Sequence, residues 1–288
     1  MDARTFLQLV RAPAGFTVLG DATAGMAATG RRGIRARLGL PVASVLLYWG
    51  GMALNDAADA ELDRVERPER PIPSGRVSRR AAIATAGGLT IAGIAVAGLT
   101  GGRTSLAVAL PLAGSIWAYD LAAKRGALGP LVMAACRGLD VLLGAGADGA
   151  AAATRPALVM AAHTASVTAL ARGEVHGTHP AVASVAAAST AGSALAAVRP
   201  RADAAGVVSW VAAARFAVPT LRAQAGAIGT PSGPVVRDAT RRGIFAMVPL
   251  QAALTARAGR PVDAVVLLAI DALGLLLTRR GTRGREIT

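Results

Sequence analysis

With 288 residues, of which 53% are hydrophobic and only 17% charged, the chain carries too little polar surface for a soluble protein of its size. A formal charge of +14 would raise nucleic-acid binding in a soluble chain, but here the basic residues lie in loops between apolar windows, so no nucleic-acid partner is expected. Cys136 is the single cysteine, which excludes an internal disulfide and a cysteine-rich zinc site.

In chain order the apolar windows are Pro13–Ala28, Leu38–Leu54, Arg80–Leu99, Leu106–Asp120, Leu128–Ala147, Ala157–Ala171, Pro180–Val198, Gly206–Leu221, Gly243–Ala256 and Val262–Thr278. They approach the roughly 20 apolar residues that a helix needs to cross a bilayer. Their Ala and Gly content suits close packing of helices in lipid, and no segment reads as a strand. Asp21 interrupts the first window, which lacks a clean cleavable signal pattern and is read as a retained span. An aspartate at that depth faces a cavity or a partner, or else lies near a helix end. With the N terminus in the cytoplasm, the cytoplasmic loops hold the larger share of Lys and Arg. The run RRGIRAR at Arg31–Arg37 contradicts this, because it falls on the predicted outer side.

The second window ends in NDAADAELDRVERPERPIPSG, Asn55 to Gly75, which gathers six of the seventeen acidic residues. Asn55, Asp59 and Asp63 recur every fourth residue and would form one stripe on a continued helix, with Asp56 beside them. Like charges so spaced repel by about 0.2–0.5 kcal/mol per pair, so a counter-charge is expected. Mg2+ is typically held by one or two carboxylates together with substrate phosphates, and the stripe is a plausible platform for it. The competing reading is a solvated acidic loop laced with arginines. Pro68, Pro71 and Pro73 stiffen the following segment, Ser74-Gly75 makes a turn, and Ser78 caps the next helix. Arg67 and Arg70 would then meet phosphate oxygens or pair with Glu66 and Glu69.

Further on, YDLAAKRG ends the fourth window and holds Tyr119, Asp120, Lys124 and Arg125. Lys124 is the only lysine of the chain and Asn55 the only asparagine. In CRGLDVLLG, Arg137 and Asp140 lie three residues apart inside an apolar window, where they can pair, either as a functional group or as a structural ion pair. His163 is read as a hydrogen-bonding link between helices, and His176 as a surface histidine. Trp117 and Tyr119 could offer ring faces to a cation. ARGEVHG, Ala171–Gly177, supplies Arg172 and Glu174, and the terminal RRGTRGREIT reads as a basic cytoplasmic tail.

The NDxxD start and RPxRPIPSG strongly resemble the UbiA superfamily of intramembrane prenyltransferases. YDLAAKRG is similar to the Tyr-x-x-x-x-Lys-Arg element of that family, and Arg137 to its cavity-facing polar residue. The resemblance implies an all-α, polytopic membrane bundle of nine or ten transmembrane helices around a central cavity, with one domain over 1–278 and the basic tail over 279–288. It implies Mg2+ ligation by Asn55, Asp56, Asp59, Asp63 and Glu174, and substrate binding by Arg67, Arg70, Tyr119, Asp120, Lys124, Arg125 and Arg172. Asp59, Asp63, Lys124 and Arg137 would carry catalysis. The implied reaction moves a prenyl group from a polyprenyl diphosphate to an aromatic or polar lipid-forming acceptor, at the cytoplasmic face of a bacterial plasma membrane. Family members usually carry a second aspartate-rich motif near ARGEVHG. Here only Glu174 is acidic, a reduction similar to the EboC-like branch. A non-catalytic protein that binds or moves an isoprenoid-like lipid is the alternative expectation.

Overall fold

A computed structural model describes residues 1–281, and the apolar windows are helical, although Pro13–Ala28 divides into a 3-10 turn and the helix Leu19–Thr29, and Gly243–Ala256 is shared between Gly233–Phe245 and Met247–Arg257. No strand occurs among the described residues. Asp2 caps α1 (Ala3–Leu9) by accepting from the Thr5 amide at 2.7 Å. A 3-10 turn over Ala12–Thr17 leads into α2 (Leu19–Thr29), which stops at Gly30 in the left-handed region. Next come α3 (Ile34–Ala58) and the short α4 (Ala60–Glu66). The proline loop ends where the Ser78 hydroxyl accepts from Ala81 N at 3.2 Å, the cap expected from the sequence, and α5 (Arg79–Ala118) begins.

Forty residues of straight helix would measure about 60 Å, twice the hydrocarbon thickness of a bilayer. The chain avoids this at Gly102, whose φ of 75° breaks α5 and folds it back on itself. Trp117 Nε1 consequently reaches Thr90 Oγ1 at 3.2 Å. The two arms correspond to the windows expected at Arg80–Leu99 and Leu106–Asp120. The second arm runs through one π-helical turn, Tyr119–Ala123. After it follow α6 (Gly129–Ala145), α7 (Ala150–Ala171), α8 (Pro180–Ala197), α9 (Ala204–Gly229), α10 (Gly233–Phe245), α11 (Met247–Arg257) and α12 (Pro261–Gly281). Beyond Gly281, the basic tail expected over 279–288 lies outside the described residues.

Among the described residues, four helical stretches are individually long and apolar enough to cross a membrane: Ile34–Ala58, Arg79–Ala123, Pro180–Ala197 and Ala204–Gly229. Gly129–Ala145 with Ala147–Ala171, bent by 102°, counts as a fifth if taken as one span. The windows at Pro13–Ala28 and Gly243–Ala256 form shorter helices, and Val262–Thr278 lies on α12. α11 is buried from Met247 to Ala256, as befits a helix enclosed by its neighbours on all sides. α2 and α6 touch backbone to backbone. A methyl added at Gly25 would lie 1.9 Å from the Val141 carbonyl oxygen, and one at Gly144 would lie 1.9 Å from that of Ala22.

The turns segregate to two ends of the bundle. At one end, Arg31 donates to Ser105 Oγ at 3.0 Å, to the Gly144 carbonyl at 3.3 Å and to the Gly101 carbonyl. Arg260 donates to the Arg31 carbonyl and Arg199 to that of Arg257. Arg31 and Arg199 thus serve helix C-terminal carbonyls, which carry partial negative charge and lack intrahelical partners. This accounts for arginine on the side where charge bias alone disfavours it. The acidic stripe, the proline loop, YDLAAKRG and ARGEVHG gather at the opposite end, hereafter the motif end.

Candidate active site

The acidic stripe does not stay on one continuous helix. Asp59 leaves helical geometry between α3 and α4, with φ −93° and ψ 6°, although i→i−4 hydrogen bonds continue across it. The stripe accordingly splits into two pairs. Asp56 and Asp63, both 3% exposed, turn towards Arg70, whose Nη1 lies 2.6 Å from Asp63 Oδ2 and 3.5 Å from Asp56 Oδ1. Arg70 therefore closes on the stripe and not on Glu69 or Glu66. Asn55 and Asp59 face the other way. Asn55 Nδ2 donates to Asp120 Oδ1 at 2.9 Å, and Asp59 Oδ1 lies 2.8 Å from Lys124 Nζ and 3.2 Å from Arg125 Nη2.

The π turn places these partners. It shifts the register of Tyr119–Ala123 so that Asp120 is buried against Asn55, while Lys124 and Arg125 reach Asp59. Lys124 Nζ is buried and, despite its ion pair, has no partner in hydrogen-bond geometry. It is a charged donor set beside the acidic rim with unspent hydrogen-bonding capacity.

Sequence reasoning missed Arg11. It is the one described residue other than glycine with a left-handed backbone, φ 47°, and its Nη2 lies 2.8 Å from Asp56 Oδ1. Arg11 also acts electrostatically on Asp120. Forty-five residues separate it from Asp56, and nothing local in Arg11-Ala12-Pro13 announces the contact.

Beneath this rim lies a buried polar core. Arg137 was expected to pair with Asp140; instead its Nη2 lies 3.0 Å from Asp21 Oδ2 and donates to the Thr17 carbonyl at 2.7 Å. Gln251 Nε2 donates to Asp21 Oδ1 at 2.8 Å, and Ser44 Oγ to Asp140 Oδ1 at 2.5 Å. Asp21 thus has partners and is wholly buried. The difference is topological, because packing of α2 against α6, and of α11 against α2, supplies partners that a three-residue spacing cannot reveal. His163 Nε2 meets the Gly243 carbonyl at 2.9 Å, linking α7 to α10 as expected. Trp117 is engaged by Thr90.

ARGEVHG forms the third wall. Arg172 donates to the Gly126 carbonyl and acts electrostatically on Tyr119. Glu174 is half-buried, and burial raises its carboxyl above the ordinary glutamate range, opposed by Thr240, Arg237 and Arg67. His176 is exposed, and His179 caps α8 through the Ala181 amide.

Among the described residues no three His, Cys, Asp or Glu side chains are grouped to hold a metal unaided. The oxygen donors at Asn55, Asp59 and Asp120 nevertheless fit Mg2+, which needs only one or two carboxylates when phosphates and water complete its shell. The Asp59 and Asp120 carboxylates and the Asn55 amide lie beside the Lys124 ammonium, which is ion-paired with Asp59 and keeps hydrogen-bonding capacity that suits a diphosphate carrying such an ion. Asp56 and Asp63 are ion-paired with arginine, as Asp59 is with Lys124 and Arg125, and the Glu174 carbonyl accepts from Arg237.

A family model described as the UbiA prenyltransferase family matches residues 15–173. Digeranylgeranylglyceryl phosphate synthase of Methanothrix thermoacetophila is 43% identical over 111 residues, covering 37% of this chain and 40% of that protein. The protein of the same name from Ignicoccus hospitalis is 42% identical over 108 residues, covering 36% and 35%. The match thus spans less than half the length of these relatives. Among solved structures, one of digeranylgeranylglyceryl phosphate synthase in membranes superposes with a TM-score of 0.63 at 17% identity, covering 88% of this chain and 98% of that one. A UbiA homologue from Aeropyrum pernix K1 gives 0.60 at 19%, covering 92% and 98%. At such identities these superpositions establish a shared fold.

Proposed function

The chain belongs to the UbiA prenyltransferase family, and on that premise we propose that it transfers a prenyl group from a prenyl diphosphate to a hydroxyl of a glyceryl-phosphate-type acceptor. The observation that carries this reading is the joint placement of Asn55, Asp59, Asp120, Lys124 and Arg125 at one end of an apolar bundle. The names of the relatives favour a polar, phosphate-bearing acceptor over an aromatic one.

In the proposed reaction the bond between prenyl C1 and the diphosphate oxygen breaks, and its electron pair leaves with the diphosphate. The acceptor hydroxyl oxygen then bonds to C1 and gives up its proton to the released diphosphate. Lys124 and Arg125 are placed to stabilise charge growing on the leaving group, the kind of preorganised electrostatic help that lowers such barriers most. Asn55, Asp59 and Asp120 would hold Mg2+, which supplies Lewis-acid stabilisation of phosphoryl oxygens. Arg172, which donates to the Gly126 carbonyl next to Arg125, and Tyr119, next to Asp120, would join in substrate binding. The protein would lie in the cell membrane as a multi-pass protein with the motif end facing the cytoplasm, and the prenyl tail would enter from lipid.

Incubating the purified protein with labelled geranyl, farnesyl or geranylgeranyl diphosphate and a prenylglyceryl phosphate tests the reading. Mg2+-dependent diphosphate release with formation of an ether product is expected; turnover undiminished by chelator would defeat the Mg2+ role. A second reading, lipid binding without transfer, draws support from the engagement of Asp56, Asp59 and Asp63 by basic side chains. Any diphosphate release coupled to product rules it out.

A further inference from the structure

The end of the bundle opposite the motifs carries a surplus of positive charge that prenyl transfer does not use. Its turns, over residues 30–37, 101–105, 146–155, 198–203 and 257–263, hold ten arginines against three aspartates. Arg31, Arg37, Arg199, Arg257 and Arg260 direct their guanidinium groups to carbonyls or to Asp203 and Asp263. The other five are exposed, and among the described residues none of them has a side-chain partner. Basic groups at the boundary of a bilayer attract anionic headgroups over about a Debye length.

One of the five, Arg201, belongs to a shaped surface. With Pro200, Ala202, Val207, Trp210 and Val211 it lines an open groove of about 480 Å³ along the start of α9. The loop that carries it is held firmly. Arg199 N donates to Ser209 Oγ at 2.9 Å, Arg199 Nη1 to the Arg257 carbonyl at 3.0 Å, and Arg257 to the Val198 carbonyl. A methyl at Gly206 would lie 1.7 Å from the Arg201 carbonyl oxygen, so the loop backbone rests directly on the first turn of α9. Asp203 accepts from the Gly206 amide at 2.7 Å and pairs with Arg199 at 3.1 Å. It therefore caps the helix and neutralises Arg199, while Arg201 stays uncompensated. Below Arg201, Val207, Trp210 and Val211 share one face of α9 and are more than half exposed, on a helix long and apolar enough to cross a membrane. The groove thus joins a cation at its head to an apolar strip and an indole ring.

We propose that this groove binds an anionic phospholipid of the bilayer, with its phosphate on Arg201 and one acyl chain along Val207, Trp210 and Val211. A guanidinium fork matches phosphate oxygens, and an indole ring suits the boundary between headgroup and chain. A zwitterionic lipid offers the same phosphate and chain, but the surrounding surplus of arginines repels its cationic group. The groove therefore selects a headgroup of net negative charge, whichever leaflet this end faces. The site is independent of the prenyl-transfer reading.

The test uses the full chain in phosphatidylcholine nanodiscs doped with either phosphatidylglycerol or phosphatidylcholine carrying brominated chains, which quench tryptophan fluorescence on contact. The signal of Trp210 is the part that disappears in Trp210→Phe. Brominated phosphatidylglycerol is expected to quench it with an apparent affinity about fivefold above that of brominated phosphatidylcholine. Arg201→Gln brings the two lipids level, whereas Arg201→Lys, which keeps the charge, retains most of the preference. Arg103→Gln, which removes the same charge from a turn outside the groove, leaves the preference in place. Circular dichroism and thermal unfolding of the variants match the wild type, because neither Arg201 nor Arg103 has a side-chain partner to lose. Equal quenching of the wild type by the two lipids overturns the proposal, as does a preference that survives Arg201→Gln. An equal loss in Arg103→Gln and Arg201→Gln overturns it too, by revealing a diffuse field in place of a seat on Arg201.

Discussion

Arg70→Met tests the division of the acidic stripe into a structural half and a reactive half. Arg70, 13% exposed, is shared by Asp63 at 2.6 Å and Asp56 at 3.5 Å. At an effective dielectric near 20 the gross attractions are on the order of 6 and 5 kcal/mol, and the desolvation of three charged groups offsets most of them. Removing the arginine strands the carboxylates, and breaking a buried pair typically costs about 3–5 kcal/mol. Asp56 keeps Arg11 at 2.8 Å, so the damage concentrates at Asp63. At about 2–4 °C per kcal/mol, the unfolding temperature of detergent-solubilised protein should fall by at least about 6 °C. Arg70→Met combined with Asp63→Leu should recover most of the loss, because an apolar pair replaces a stranded charge. An unchanged unfolding temperature in Arg70→Met, or a double variant weaker than the single one, would refute the clamp. Turnover by the double variant would show that Asp63 holds the loop and is not a ligand.

Three further expectations follow from the same geometry. Asp59→Ala or Lys124→Met should lower prenyl diphosphate consumption by about 10²–10³-fold, the effect of deleting one preorganised charge-stabilising group; a loss under tenfold in steady-state assays would exclude them from the reacting centre. Gly144→Ala drives a methyl to 1.9 Å from the Ala22 oxygen and should destabilise by about 1–3 kcal/mol or more, whereas Gly138→Ala, with its nearest neighbours at 3.5 Å, should leave thermal unfolding nearly unchanged. Glu174 has a raised carboxyl pKa in the fold, so the folded state favours its protonated form. Its contribution is present below the ordinary value of 4.5 and is lost as pH rises through the raised folded value; Glu174→Gln should flatten that part of the stability profile, and an identical slope in the variant would contradict it.

Much of the fold was legible because the information is local. A window of apolar residues reports its helix through hydropathy alone, and the gap left between the windows Arg80–Leu99 and Leu106–Asp120 falls on the break at Gly102. The Ser78 cap and the clustering of NDAADAELD with RPERPIPSG were legible for the same reason. Partner choice was not. Arg137 and Asp140 satisfy a helical spacing rule, yet Arg137 found Asp21 on α2, since helix packing in the interior offered a partner beyond the reach of any local pattern.

The sequence by itself thus determined a helical membrane protein with an acidic and basic motif end, since burial, periodicity and capping are set by neighbours within a few residues. Only the tertiary structure decided which carboxylate meets which cation. Asp59 breaks the helix by one residue, Arg11 arrives from forty-five residues away, and α10 brings Arg237 to the Glu174 carbonyl. Those pairings depend on how distant helices pack, and a chain read in one dimension holds no distance between them.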